Sequence, residues 1–196
     1  MTHVPPGLPD SAFFRGEVPM TKQEIRAICF AKAQIQQHHR VLDIGAGTGS
    51  LSVEAALLAH HGEVVAIERD PAAWPVFREN IRRFEVNNVV LIEGEAPEAL
   101  VGIGKFDRIL IGGSGEKLEN IIASLKELCN PGACIVANAI CLETINSLQQ
   151  AFRVSPFEDW DVVQIQASRG TLAGNKMRFV PNSPTWIASA RFKYER

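Results

Sequence analysis

An aspartate followed by three glycines at alternate positions, Asp43-x-Gly45-x-Gly47-x-Gly49, is the run whose residue types and spacing best suit the grip of a nucleoside cofactor. Glycines allow a tight turn and let backbone approach a ligand closely. Ala46 and Thr48 fill the loop, and a helix opening at Ser50 would present free N–H groups to it. The next carboxylate, Glu68, closes the apolar run Glu63 to Ile67. A carboxylate at such a strand tip can accept hydrogen bonds from both hydroxyls of a ribose. Further on, Glu93-Gly94-Glu95-Ala96-Pro97-Glu98 would border an adenine, with Glu95 beside it. Gly112-Gly113-Ser114-Gly115 lacks bulky side chains and leaves room where a reacting group would lie.

Two cofactor classes use this arrangement. A dinucleotide site calls for Gly-x-Gly-x-x-Gly, with the pyrophosphate on the helix N-terminus. Here the third glycine comes one residue early and position 50 is serine. Asp43 would be misplaced beside a pyrophosphate, but it can receive the ammonium of a methionine moiety, directly or through water. The spacing therefore points to S-adenosyl-L-methionine. An NAD-binding oxidoreductase is the competing reading from another class.

The elements needed to place these residues follow from pattern. Residues 1–19, rich in Pro and Gly, read as an arm without regular structure. Thr21 and Glu24 form a capping box for a helix reaching about Gln37. Strands are expected at Arg40–Ile44, Glu63–Ile67, Val89–Ile92, Phe106–Ile111 and Ala133–Ala137. Helices are expected over Ser50–His61, from Pro71 to about Phe84, over Glu116–Leu128 and over Leu142–Phe152. Asp161–Ala167 alternates as a half-exposed strand does. Thr185–Phe192 is the last strand, and no element is assigned between Arg169 and Pro184. Alternating β/α units imply a mostly parallel sheet with helices on both faces. The closing pair adds an antiparallel hairpin, so the expected fold is α/β: one domain built on a doubly wound, seven-stranded sheet.

Composition sets the outer limits. The net charge of −2 supplies no global field for nucleic acid or an anionic membrane. No apolar run is long enough to span a bilayer, and prolines stand where a signal peptide would be apolar, which predicts a cytoplasmic protein. The four cysteines form no Cys-x-x-Cys pair and the histidines complete no zinc spacing, so reduced, mostly buried thiols and no metal are expected.

The chain also resembles the decarboxylating precorrin C15-methyltransferases of cobalamin biosynthesis. The likeness rests on Val18-Pro19-Met20-Thr21-Lys22, the glycine loop, Glu95-Ala96-Pro97-Glu98-Ala99-Leu100 and Ile111-Gly112-Gly113-Ser114-Gly115, and it continues through Ala139–Thr144 and Ser168-Arg169-Gly170. It implies the Rossmann-like fold of class I methyltransferases. It further implies methylation at C15 of a precorrin or cobalt-precorrin and loss of carbon dioxide from the C12 acetate. Cofactor contacts are carried over to Thr21, Gly45 to Gly49, Glu68 and Ala96; Asp43, Glu95 and Gly112 join them from the reading above. Glu95 replaces an aspartate usual in the family. A homotetramer, and a C5-methyltransferase on a separate chain, are implied as well. The competing reading within the fold is another small-molecule or RNA methyltransferase.

A corrin precursor carries many carboxylates, which arginine binds bidentately. Candidates are Arg15, Lys22 and Arg26 near the N-terminus, and Arg169, Lys176 and Arg178 near the C-terminus. Phe13, Phe14, Met20, Met177 and Phe179 could form an apolar rim or a subunit interface. Glu116 is a candidate acid, although a helix N-terminus favours glutamate anyway.

Overall fold

The computed structural model describes residues 6–115, 117–154 and 156–193. Strands β1 (Arg40–Ile44), β2 (Glu63–Glu68), β3 (Val89–Glu93), β4 (Phe106–Ile111), β5 (Cys129–Ala139), β6 (Phe157–Ile165) and β9 (Thr185–Phe192) make one sheet in the order β3-β2-β1-β4-β5-β9-β6. The first five run parallel, and β9 is antiparallel to both of its neighbours. The seven-stranded, mostly parallel sheet is the expected one. From β1 the winding goes one way to β2 and the other way to β4, so a crevice must open at the carboxyl ends of β1 and β4.

Alternation along β1 divides the two layers. Leu42 and Ile44 face α4 (Leu118–Leu128) and α5 (Leu142–Val154), where Ile121, Leu125 and Leu148 are buried. Val41 faces α1 (Gln23–Ala33) and α2 (Ser50–Leu58), packing with Cys29, Phe30, Leu51 and Ala55. α3 (Ala73–Arg83) covers the loop end of the sheet through Phe77.

Several boundaries differ from the sequence expectation. α1 stops at Ala33, not near Gln37, because Gln34 takes the left-handed conformation. The capping box does not form: Lys22 holds the N-cap position without a side-chain bond. Asp10, from a 3-10 turn of the arm (Asp10–Ala12), accepts the Gln23 N–H at 2.8 Å instead. β5 begins at Cys129, since Pro131 and Gly132 lie in an irregular strand and not in a turn before it. β6 begins at Phe157, its alternation broken by an irregularity between Glu158 and Asp161. The segment left without elements is a hairpin, β7 (Ser168–Ala173) and β8 (Lys176–Pro181), a separate two-stranded sheet whose residues are all exposed.

Candidate active site

The crevice is a cavity of about 660 Å³. Its floor is the glycine loop, tied to both neighbouring strands. Gly45 and Ala46 donate N–H bonds to the Ile67 carbonyl at 2.9 and 3.1 Å, and Gly112 donates to the Ile44 carbonyl at 2.9 Å. Gly45 has φ +73°, and a Cβ there would lie 2.2 Å from the Gly113 carbonyl oxygen, so the β1 and β4 loops touch through glycine alone. The expected cofactor residues Thr21, Gly45, Ala46, Gly47, Thr48, Glu68, Glu95, Ala96 and Gly112 all line this one cavity. Gly49 lies just beneath it, with φ +77° and the Phe77 ring 2.7 Å from where a Cβ would be.

Glu68 is almost wholly buried, and its two oxygens accept the Gly47 N–H at 2.7 Å and the Asp70 N–H at 2.8 Å. Those bonds orient the carboxylate and leave acceptor sites for two hydroxyls. Asp43 does not line the cavity. It lies wholly buried beneath the loop, where Ser52 donates to it at 2.5 Å, so direct capture of a ligand ammonium gives way to an effect through the loop or a bridging water. Burial pushes Asp43 up to about 7, with the Ser52 bond opposing that rise and the charge of Glu68 adding to it. Asp43 Oδ1 and Thr48 Oγ1 are buried polar atoms without partners among the described residues. Glu95 accepts from Lys117 and Arg69, each at 2.8 Å, and these two cations hold its carboxyl below the ordinary range. Its charge is spent on bracing three loops rather than offered whole to an adenine.

The arm forms a wall of the cavity, where Met20, Thr21 and Lys22, expected near the ligands, are joined by Val18 and Pro19, to which the sequence reading gave no such place. Val18 to Lys22 line the cavity opposite the β2 tip. They are held there from behind. Glu54 accepts the Gly7 and Leu8 N–H groups at 2.6 and 3.1 Å, and Asn80 bonds both the N–H and the carbonyl of Phe14. Asn80 also donates to the Thr48 carbonyl at 2.8 Å, joining arm to glycine loop. The available signals were a charged residue, Glu54, among the small and apolar buried residues of α2, and Asn80 in the apolar stripe of α3.

The basic candidates divide sharply. Lys22 lines the cavity and makes no ion pair among the described residues. Arg26 cannot meet a substrate: it is fully buried, bonded to Glu54 at 2.6 Å, to Asp10 at 2.9 Å and to the carbonyls of Thr21 and Leu8. It organises the arm. Arg169 is outside the lining but paired with Glu24, which lines the cavity. Arg15, on the arm, and Lys176 and Arg178, on the hairpin, are exposed and outside the lining. Met20 lines the cavity; Phe13 is buried against Phe84 and Arg26, while Met177 and Phe179 are exposed on the hairpin. Glu116 lies outside the described residues. Arg69, Lys117 and Asn138 were not singled out from sequence, although Arg69 directly follows Glu68.

Cys29, Cys129 and Cys134 are buried and Cys141 is exposed; burial pushes Cys29 and Cys129 up to about 12, which leaves them protonated packing groups.

Comparison with known proteins agrees with this geometry. Residues 12–190 match the model of a precorrin methyltransferase domain. A probable cobalt-precorrin-6B C(15)-methyltransferase (decarboxylating) from Saccharolobus solfataricus is 42% identical, over 95% of this chain and 96% of that protein. Among solved structures, the precorrin-6y C5,15-methyltransferase of Geobacter metallireducens superposes with a TM-score of 0.89 at 32% identity, covering 96% of this chain and 97% of the other. The precorrin 8W decarboxylase of Methanobacterium thermoautotrophicum gives 0.86 at 32% identity, covering 93% and 98%.

Proposed function

The chain belongs to the precorrin methyltransferase family, and from that premise we propose that it uses S-adenosyl-L-methionine to methylate C15 of a precorrin or cobalt-precorrin and decarboxylates the C12 acetate side chain. The observation that carries the proposal is the single crevice in which the glycine loop, the Glu68 tip and the arm converge. Its residues suit the cofactor. Gly45, Gly47 and Gly49 hold the loop at positive φ, with no room for a Cβ at Gly45 or Gly49, and Glu68 keeps acceptor sites free for a ribose. Thr48 of the loop and Asp43 beneath it each keep a buried polar atom without a partner among the described residues, which suits Thr48 to the cofactor's charged amino-acid end and Asp43 to reaching it through a bridging water.

When bound, the cofactor supplies a methyl group on a sulfonium, a strong electrophile. The protein's task is to hold the acceptor carbon in line with it, and such positioning can lower a barrier by roughly 7–11 kcal/mol. Gly112 and Gly113 leave space beside the loop for the flat macrocycle, and Met20 and Lys22 of the arm close the opposite side. The far wall, formed by Asn138, Ile140, Ile165, Ala167, Asn182 and Ser183, carries no formal charge. A carboxylate pressed against it loses water without gaining a counter-ion, which disfavours the anion relative to departing carbon dioxide. The electron pair of the broken C–C bond passes into the conjugated macrocycle, and the carbon left behind then takes up a proton.

Three further points belong to the same reading. They are a homotetramer, a C5-methyltransferase partner on another chain, and a cytoplasmic location. The exposed Leu172, Met177 and Phe179 of the hairpin offer apolar surface for such an assembly, and sedimentation would reveal it. No helix among the described residues is long and apolar enough to cross a membrane.

The function is tested by mass spectrometry of cobalt-precorrin-6B after incubation with enzyme and cofactor. The expected product has gained one methyl and lost one carbon dioxide; if cobalt-precorrin-6B and its cobalt-free counterpart both stay unchanged, the reading is refuted. The cofactor is tested separately by calorimetry with S-adenosylhomocysteine. Glu68→Ala should weaken its binding about tenfold or more, the scale of a lost bond to a charged group.

A further inference from the structure

Glu24 was expected to cap its own helix, yet its carboxylate reaches a residue far along the chain. Both of its oxygens approach one nitrogen of Arg169, Nη2, at 2.7 and 2.9 Å. Asp10 Oδ2 lies 3.5 Å from the same nitrogen. Arg169 Nε and Nη1 have no partner among the described residues. The pair borders the cavity: Glu24 lines it and so does Ala167, two residues before Arg169, which itself lies outside the lining.

Three features make this ion pair exchangeable. Arg169 and Glu24 are 45% and 39% exposed, so water and salt compete with them and the pair holds weakly. The contact engages one corner of the guanidinium, whereas a carboxylate that meets two nitrogens side by side makes the stronger fork. Asp10 is fixed independently, because its Oδ1 accepts from Arg26 and from the Gln23 N–H. Were Glu24 to leave, Asp10 would still hold Arg169 beside the cavity.

We propose that Glu24 is a stand-in for a substrate carboxylate: it occupies Arg169 in the free enzyme and is displaced from it when the carboxylate-bearing macrocycle enters. The proposal deepens the functional reading above and rests on it for the substrate class. Displacement serves two ends. It keeps Arg169 beside the cavity while no ligand is present. It also makes a stray anion compete with Glu24, whereas a ligand bound elsewhere in the cavity presents its carboxylate at high effective concentration. Asp10 is the fixed half of the latch and Glu24 the movable half.

The test is a double-mutant cycle on binding, with cobyrinic acid, a corrin polycarboxylate, as probe and its permethyl ester as control, read by calorimetry on the full chain saturated with S-adenosylhomocysteine. Removing the competitor in Glu24→Gln should tighten cobyrinic acid binding about two- to fivefold, the reach of an exposed ion pair. Arg169→Ala should weaken it. Glu24→Gln added to Arg169→Ala should gain nothing, because no guanidinium remains to be freed. The ester should respond to none of these changes. A purely structural tie between hairpin and helix predicts the reverse, with Glu24→Gln loosening the hairpin and binding unchanged or weaker. That result, or an equal gain in the Arg169→Ala background, overturns the proposal. Arg169→Lys, which keeps a cation without the fork, should recover only part of the binding; full recovery also counts against it. The functional reading fails on a different readout, the absence of methyl transfer to cobalt-precorrin-6B and to its cobalt-free counterpart, so the two failures are separable.

Discussion

Arg26 and Arg169 share an acceptor, Asp10, yet one is fully buried and the other is nearly half exposed. Arg26 extends from α1 between the arm and α2, with each of its three guanidinium nitrogens bonded to Glu54, Asp10 or a carbonyl. It cannot leave without stranding the Glu54 charge in the core. Arg169 stands on a hairpin in contact with solvent, and its pair can open at little cost. The same side chain is a structural rivet in one place and an exchangeable contact in the other. Burial decides which, because desolvation makes the loss of one partner expensive only where water cannot take its place.

The comparison is broken most directly at Glu54. Glu54→Ala leaves Arg26 buried without its main partner and should cost about 3–5 kcal/mol of stability in urea denaturation. If the loss is under about 1 kcal/mol, Arg26 is no better anchored than Arg169. Asn80→Ala removes the bonds that hold Phe14 and the Thr48 carbonyl and should cost about 1–3 kcal/mol. Limited proteolysis should then cut the arm near Phe14 first.

Asp43 sharpens the contrast, being buried with no cation paired to it among the described residues. Its carboxyl, ordinarily near 3.8, is pushed up to about 7, so the folded state binds a proton that the unfolded state has released between those values. Stability carried by this group is therefore present below about pH 4 and is lost as pH rises towards 7. The slope is at most about 1.4 kcal/mol per pH unit. The stability of Asp43→Asn minus that of the unsubstituted chain should climb across this window and level off above it. A flat difference would mean that Asp43 has found a counter-charge after all.

The smallest effect is expected at the hairpin. Arg169→Ala should change unfolding free energy by less than about 1 kcal/mol. A drop comparable to that of Glu54→Ala would show that the hairpin pair, too, is structural.

What could be read from sequence follows the range of the forces involved. β1, the loop after it and the acid at the β2 tip are local: an apolar run, a glycine spacing and a carboxylate within one β/α/β unit. β4 came out with its observed ends because Phe106 to Ile111 is apolar on both faces apart from Asp107 and Arg108. Legibility failed where side chains choose distant partners. Thr21 and Glu24 had the spacing of a capping box, but Asp10 took the cap and Arg169 took the glutamate. Arg26 was counted among substrate ligands, since nothing local marks an arginine whose counter-ion lies one helix away on α2. The hairpin went unassigned because, exposed on every residue, it lacks the polar–apolar alternation that burial imposes.

By itself, then, the order of residues determined the doubly wound sheet, the place of its crevice and the glycine and acid that shape the nucleoside end. Those depend on periodicity and on backbone freedom, which neighbouring residues settle among themselves. Only the tertiary structure decided which charges are locked and which can exchange, and that a proline-rich arm becomes a wall of the cavity. Those outcomes turn on desolvation and on pairing between residues far apart in the chain, and neither exists until the chain has folded.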